Sequence, residues 1–180
     1  TTGARVDPDP RQDPWTFQRP DVERGMATRL ASLPGNRIAQ QLERCALEYG
    51  CRAAQNYALG RFEAPLPTSV ACNAQCVGCI SLQPDGEFKA SHERLTRRVT
   101  PGEIVAVARD HWSRVPDGVV SFGQGCEGEP LLEAEVLVPA VAELDRCAQR
   151  GTINLNSNAS LPDAVAAMKG GLHRASVTSG

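Results

Sequence analysis

Three cysteines stand within eight positions, Cys72-Asn-Ala-Gln-Cys76-Val-Gly-Cys79. That spacing lets one short loop wrap a single inorganic centre, and thiolates suit soft iron or zinc. Three is the informative count. A structural zinc or an electron-transfer cluster ordinarily takes four protein ligands, whereas three leave a coordination position open for chemistry. A fourth ligand from Cys126 or His92 gives the alternative reading, a non-catalytic zinc or iron–sulfur module for structure or electron transfer. Cys45 and Cys51 would lie about 240° apart on an unbroken helix, so they share no face and read, with Cys147, as buried thiols. Cys126 falls at a strand end and reads either as packing or as a pocket residue. His92, His111 and His173 are dispersed, which favours surface or capping roles.

The elements that must position these residues follow a strand–helix rhythm. Ala64 to Ala71 reads as a short strand running into the cysteine loop. Thr100-Pro-Gly-Glu103 then opens a helix with a capping box and Pro101 at its first position, and Ile104, Val105, Ala108 and Trp112 form its apolar face. Val119 to Phe122 is a second, buried strand. A helix starts at Pro130, carries Leu137, Val141, Leu144 and Ala148 on one stripe, and stops at Gly151. Thr152 to Leu155 is a third strand. Ser160 with Asp163 suggests another capping box, before a short helix over Ala164 to Lys169. Ala175 to Thr178 is a fourth strand.

Alternation of this kind implies an α/β fold with a parallel sheet, open or curled into a barrel, with chemistry at the C-terminal strand ends. After the first strand come the cysteines. After the second comes Gly123-Gln-Gly-Cys-Glu-Gly-Glu-Pro130, and after the third Asn156-Ser-Asn158, so three strand ends should line one pocket. Gln124 and Glu127 within that second stretch read either as ligand contacts or as acceptors for loop backbone. Ahead of this region, residues 1–25 form a Pro-rich extended or disordered lead. Residues 26–62 form a helical extension in which Ile38, Leu42, Cys45 and Tyr49 recur at helical spacing and Gly50 marks a stop or kink.

Among 180 residues, 41% are hydrophobic and 22% charged, which excludes a wholly disordered chain, and a net charge of −2 makes nucleic acid an unindicated partner. Aromatics are only 4%, so Leu, Val, Ile and Ala must fill the core. No apolar stretch approaches the roughly 20 residues of a membrane span, and an odd seven cysteines without an export signal reads as cytoplasmic thiol or metal chemistry.

The cysteine spacing, directly after a first strand, resembles the signature of the radical S-adenosylmethionine (SAM) enzymes. Gly128-Glu129-Pro130 is similar to that family's GEP motif, Thr152 to Ser160 to its third-strand segment, and Gly171 to Thr178 to its fourth. The resemblance covers the second two-thirds of the chain in the family's order. It implies that residues 63–180 are the first part of a (β/α) barrel, truncated after about the fourth strand. It implies that Cys72, Cys76 and Cys79 ligate a [4Fe-4S] cluster, and that SAM is bound by Gly128, Glu129 and Pro130, by Asn156 or Asn158, and by Thr178. It further implies reductive cleavage of SAM, hydrogen abstraction from a substrate that the chain does not name, and an electron donor of flavodoxin or ferredoxin type. Arg94, Arg97 and Arg98 are a solvated group that would suit such an acidic donor. Gly78 departs from the pattern, standing where the family usually has an aromatic beside adenine, which leaves Val77 or Ile80 for that contact. Glu127-Gly128 replaces a frequent double glycine, and Thr178 replaces a serine.

Overall fold

The structure, a computed structural model, describes residues 13–82, 89–148 and 151–178. Four strands, β1 (Glu63–Pro65), β2 (Val119–Phe122), β3 (Thr152–Ser157) and β4 (Arg174–Val177), form one all-parallel sheet in the order β1-β2-β3-β4. Every step moves to the next strand in the same direction, so these strands contain no reversal of the kind that defines a doubly wound sheet. Helices fill the crossovers: α4 (Pro101–Arg114), α5 (Ala134–Asp145) and the short α6 (Pro162–Ala167). Three further helices precede β1: α1 (Arg19–Ser32), α2 (Arg37–Leu47) and α3 (Arg52–Leu59).

The expected lead and helical extension are corrected at their boundary. Helix α1 begins at Arg19, inside the stretch expected to be extended, because Pro20 lies in the first turn, where a missing N–H costs nothing. Residues 1–12 of that lead lie outside the described residues. Gly50, at φ +65°, separates α2 from α3. The three helices are continuous with the rest: Val22, Met26, Ile38, Leu42 and Tyr57 share one core with Ile104, Trp112, Val120 and Leu137. A polar knot locks the layers, with Asp110 of α4 accepting from Tyr57 Oη at 2.8 Å and pairing with Arg29 at 3.1 Å and Arg114 at 3.0 Å.

The first capping box forms as expected, with Thr100 N donating to Glu103 Oε2 at 2.8 Å and Glu103 N to Thr100 Oγ1 at 3.3 Å. Glu103 also takes the Arg37 guanidinium, which joins α4 to α2. The second box does not form: α6 starts at Pro162 with no side-chain cap, and Ser160 Oγ instead accepts from Asn73 Nδ2 at 2.8 Å. Strand β1 is shorter than expected because Pro65 and Pro67 have no N–H for the ladder; the last rung is Leu66 N to Ser121 O at 2.8 Å. The Pro130 helix opens as a 3-10 turn, Pro130–Glu133, and α5 ends at Asp145, so Ala148 lies outside it and Gly151 does not stop it.

Strand alternation gives the sheet two characters. Ala64, Val120, Phe122, Ile153 and Leu155 enter the common core. Glu63, Ser121 and Asn154 fall on the opposite face and are joined across the strands, Asn154 Nδ2 donating to Ser121 Oγ at 3.2 Å and Ser121 Oγ to Glu63 Oε1 at 2.8 Å.

Candidate functional site

The loops after β1, β2 and β3 meet at the C-terminal end of the sheet, and the residues that join them are those of the GEP-like stretch. Gly128 N donates to Ser69 O at 2.9 Å and Glu129 N to Ala71 O at 2.8 Å, so the β2 loop is bonded to backbone immediately before Cys72. Glycine is required there. A Cβ at position 128 would lie 1.7 Å from Ala71 O. Gly123 permits a second close approach, between the ends of β2 and β3: its φ is +75° and a Cβ would stand 1.8 Å from Asn156 O.

Two buried carboxylates complete the joint. Glu127 accepts Thr68 N at 2.8 Å and Ser69 N at 3.0 Å on one oxygen, and Gly123 N at 2.6 Å on the other. Burial pushes its carboxyl up to about 7, outweighing the three N–H donors that favour the anion. Glu129 accepts Ser157 Oγ at 2.6 Å and Leu131 N at 3.1 Å on Oε1, and Asn158 N at 2.9 Å on Oε2. Asn158 Nδ2 in turn donates to Asn73 Oδ1 at 2.8 Å, beside Cys72. Asn156 Nδ2 holds Phe122 O at 3.0 Å. Pro130 begins the 3-10 turn that Glu129 caps.

Of the residues expected to form a site, Glu129 and Asn158 are joined directly and bond the residues on either side of Cys72, Ala71 and Asn73, whereas Asn156 bonds Phe122 O and Asn154 instead. Thr178 is exposed just beyond β4, its N–H bonded to Ser157 O at 3.1 Å. Cys76 to Cys79 is a turn closed by Cys79 N to Cys76 O at 3.2 Å, with Gly78 at φ +76° in its third position, as a type II turn requires. That conformation accounts for a glycine where an aromatic was expected. Val77 is fully exposed, and Ile80 lies against Gly125 while remaining 45% exposed.

The cysteines carry no disulfide, with Cys76 exposed and Cys72 and Cys79 half-buried. Burial pushes the Cys79 thiol up, but donors from Ser81, Leu82 and Arg94 outweigh it, and the thiol lies below its ordinary range. In kind, three thiols on one irregular loop suit a soft metal or an iron–sulfur centre. They are not gathered for one: among the described residues no three His, Cys, Asp or Glu side chains are arranged to hold a metal ion. Neither expected fourth ligand faces them. Cys126 is buried in the core against Cys45, and the hydrogen bond to Cys45, with burial, pushes its thiol up. His92 packs on Tyr49, with ring centroids 5.1 Å apart.

Glu127 and Gln124, read from sequence as ligand contacts or backbone acceptors, take internal roles. Glu127 serves loop backbone, and Gln124 Nε2 donates to Glu63 Oε1 at 2.9 Å. The row Glu63, Ser121, Asn154 went unseen in the sequence; its only signal is a polar residue in each strand at alternate spacing. Asn154 Oδ1 is buried there with no hydrogen-bond partner among the described residues. The three arginines do not form one patch. Arg94 turns inward to Ser81, Arg98 pairs with Glu133 at 3.5 Å and Glu135 at 3.2 Å, and Arg97 is exposed. No described helix is long and apolar enough to cross a membrane.

Fold and site together define an α/β protein with a singly wound parallel sheet and its unusual residues concentrated on three adjacent strand-end loops. No family model, no curated protein and no solved structure matches the chain.

Proposed function

We propose that the chain is the cluster- and SAM-binding part of a radical SAM enzyme, acting in the reducing cytoplasm on a substrate its described residues do not name. The observation that carries this reading is the bonding of the Gly128-Glu129 backbone directly to the segment leading into Cys72, with Glu129 extending the joint to Asn158. A chance cysteine triplet has no reason to be tied to those two motifs. When bound, a [4Fe-4S] cluster supplies one electron to the SAM sulfonium, whose cleavage gives methionine and a 5′-deoxyadenosyl radical able to take hydrogen from substrate.

Cys72, Cys76 and Cys79 would hold three irons. The Gly128 and Glu129 N–H groups are committed to Ser69 and Ala71, so an incoming amino group would be received by carbonyl oxygens of that turn. Asn156, Asn158 and Thr178 supply amide and hydroxyl groups along the ends of β3 and β4 for the ribose and carboxylate. Pro130 and the 3-10 turn behind it fix the turn's direction. A low-potential donor of flavodoxin or ferredoxin type would deliver the electron.

Anaerobic reconstitution with iron and sulfide tests the proposal. The expected product is a brown protein whose reduced EPR signal changes on adding SAM. Replacing Cys72, Cys76 or Cys79 by Ala should abolish iron uptake, and Cys45→Ala should leave it unchanged. A colourless protein holding one zinc, or loss of iron in the Cys45 variant, overturns the assignment.

A further inference from the structure

Glu63 opens β1 on the polar face of the sheet, and no cation pairs with it among the described residues. Its Oε1 accepts Ser121 Oγ at 2.8 Å and Gln124 Nε2 at 2.9 Å, both neutral donors. Asn154 Nδ2 donates to Ser121 Oγ at 3.2 Å, so the hydroxyl proton is left for the carboxylate and the row is polarised towards Glu63. Glu63 Oε2 has no hydrogen-bond partner among the described residues and is open to solvent. Gln124 turns its NH2 to the carboxylate, which leaves its own Oε1 likewise open and without a partner among those residues. Asp110, Glu103 and Glu133 differ, because each is paired with an arginine. Val119 stands opposite Glu63 in the ladder and Pro65 shares the face two residues on, so apolar carbon flanks the carboxylate.

We propose that Glu63 Oε2 and Gln124 Oε1 form a subsite for the primary ammonium group of a ligand that carries an alkyl chain. Two neighbouring acceptors with no donor of their own call for a group rich in N–H, and the carboxylate calls for a cation. An ammonium meets both demands with its three donors. A calcium ion draws more oxygens from a protein than one carboxylate oxygen and one amide oxygen supply. Val119 and Pro65 suit the carbon that follows the nitrogen. The hydroxyl and amide donors on Oε1 fix the carboxylate in one orientation, so its free oxygen is aimed before a ligand arrives. Within the function proposed above the ammonium would belong to the substrate, and that attribution alone rests on that reading; the binding itself needs no iron.

The experiment titrates the iron-free, 15N-labelled full chain with n-butylammonium chloride, with butan-1-ol as the neutral counterpart and with magnesium chloride, at about 0.15 M salt so that exposed pairs are screened. Butylammonium should shift the Val119, Ser121 and Gln124 signals saturably, and butanol and magnesium should not. Glu63→Gln keeps Oε1 for Ser121 and Gln124 and replaces the free oxygen by an NH2, so E63Q should bind butylammonium about tenfold more weakly or worse, as loss of a hydrogen bond to a charged group requires. Gln124→Leu should give a smaller loss. Equal binding by E63Q and wild type overturns the subsite. If E63Q does not fold, the wild-type titrations decide: shifts at these three residues that butanol or magnesium reproduces, or that are missing, overturn it. Such a result leaves the cluster assignment standing, and a chain that takes up no iron but binds butylammonium as described removes the proposed function and leaves the subsite.

Discussion

Glu127 is the residue whose replacement most directly tests how the strand-end loops are held. Its carboxyl is 4% exposed and binds three backbone N–H groups from two loops. Those donors favour the anion, burial favours the neutral acid, and burial wins, raising the group from an ordinary value of 4.5 to about 7. A carboxyl raised in the fold binds more protons there than in the unfolded chain. Its stabilising contribution is therefore complete below about pH 4.5 and is lost as pH rises through 7. A displacement of that size is worth about 3 kcal/mol.

Glu127→Gln isolates the effect. The amide oxygen still accepts two of the N–H groups, but its NH2 faces a third donor, leaving one buried N–H unserved at a cost of roughly 1–3 kcal/mol. That cost is independent of pH, whereas the carboxyl contribution is not. In urea titrations followed by Trp112, which is fully buried, the stability advantage of wild type over E127Q should shrink by about 3 kcal/mol between pH 4.5 and 7.5. Taking the difference cancels every other titrating group. A difference that stays flat across this window would refute the reasoning, because it would mean that the three N–H donors outweigh burial and the carboxylate is ionised throughout.

Burial, with Arg114 nearby, lowers His111 to about 4, so the ring is neutral in the fold; its own contribution to stability is full above pH 6.5 and falls by about 3 kcal/mol as pH drops towards 4, so His111→Leu should lose less stability on acidification than wild type. This slope opposes that of Glu127, so the wild-type stability profile should be nearly level between pH 4.5 and 6.5. Gly128→Ala forces Ala71 O away from a Cβ that would sit 1.7 Å from it, breaking two backbone hydrogen bonds, and should cost about 2 kcal/mol or more in thermal unfolding. Gly102→Ala meets nothing within 4 Å and should be neutral or stabilising.

Local rules were legible in the sequence wherever the partners are local. The Thr100–Glu103 box, the Gly50 break and strand β2 depend on residues a few positions apart and form as read, while β3 forms but runs on through Asn156 and Ser157, which were read as lying after it. The Ser160–Asp163 box has a similar spacing of hydroxyl and carboxylate, yet a residue 87 positions away, Asn73, takes the serine hydroxyl. The start of α1 was hidden because Pro20 reads as a breaker unless its place in the first turn is known. In the site, the cysteines, the glycine–glutamate–proline stretch and the asparagines were visible as motifs. The Glu63–Ser121–Asn154 row was not, because it exists only once parallel register sets Ser121 beside Asn154; the backbone role of Glu127 was one of two readings, and its partners Thr68 and Ser69, 59 and 58 positions away, were hidden.

The loop after β1 is consequently not uniform along its length. Its entry, Thr68 to Ala71, is held by Glu127, Gly128 and Glu129, and its exit is held at Ser81 by Arg94 and the Glu127 carbonyl. Between these anchors the tip carries exposed Cys76 and Val77. A segment fixed at both ends loses little entropy when its middle closes on a ligand, since the ends are already brought together. The hydrogen bonds that make the strand-end joint come from Glu127, Gly128 and Glu129, and none of these bonds involves a cysteine sulfur. On the cluster assignment proposed above, replacing Cys72, Cys76 or Cys79 should remove iron while leaving the fold intact, whereas replacing Glu127 or Gly128 should loosen the fold first and iron binding as a consequence.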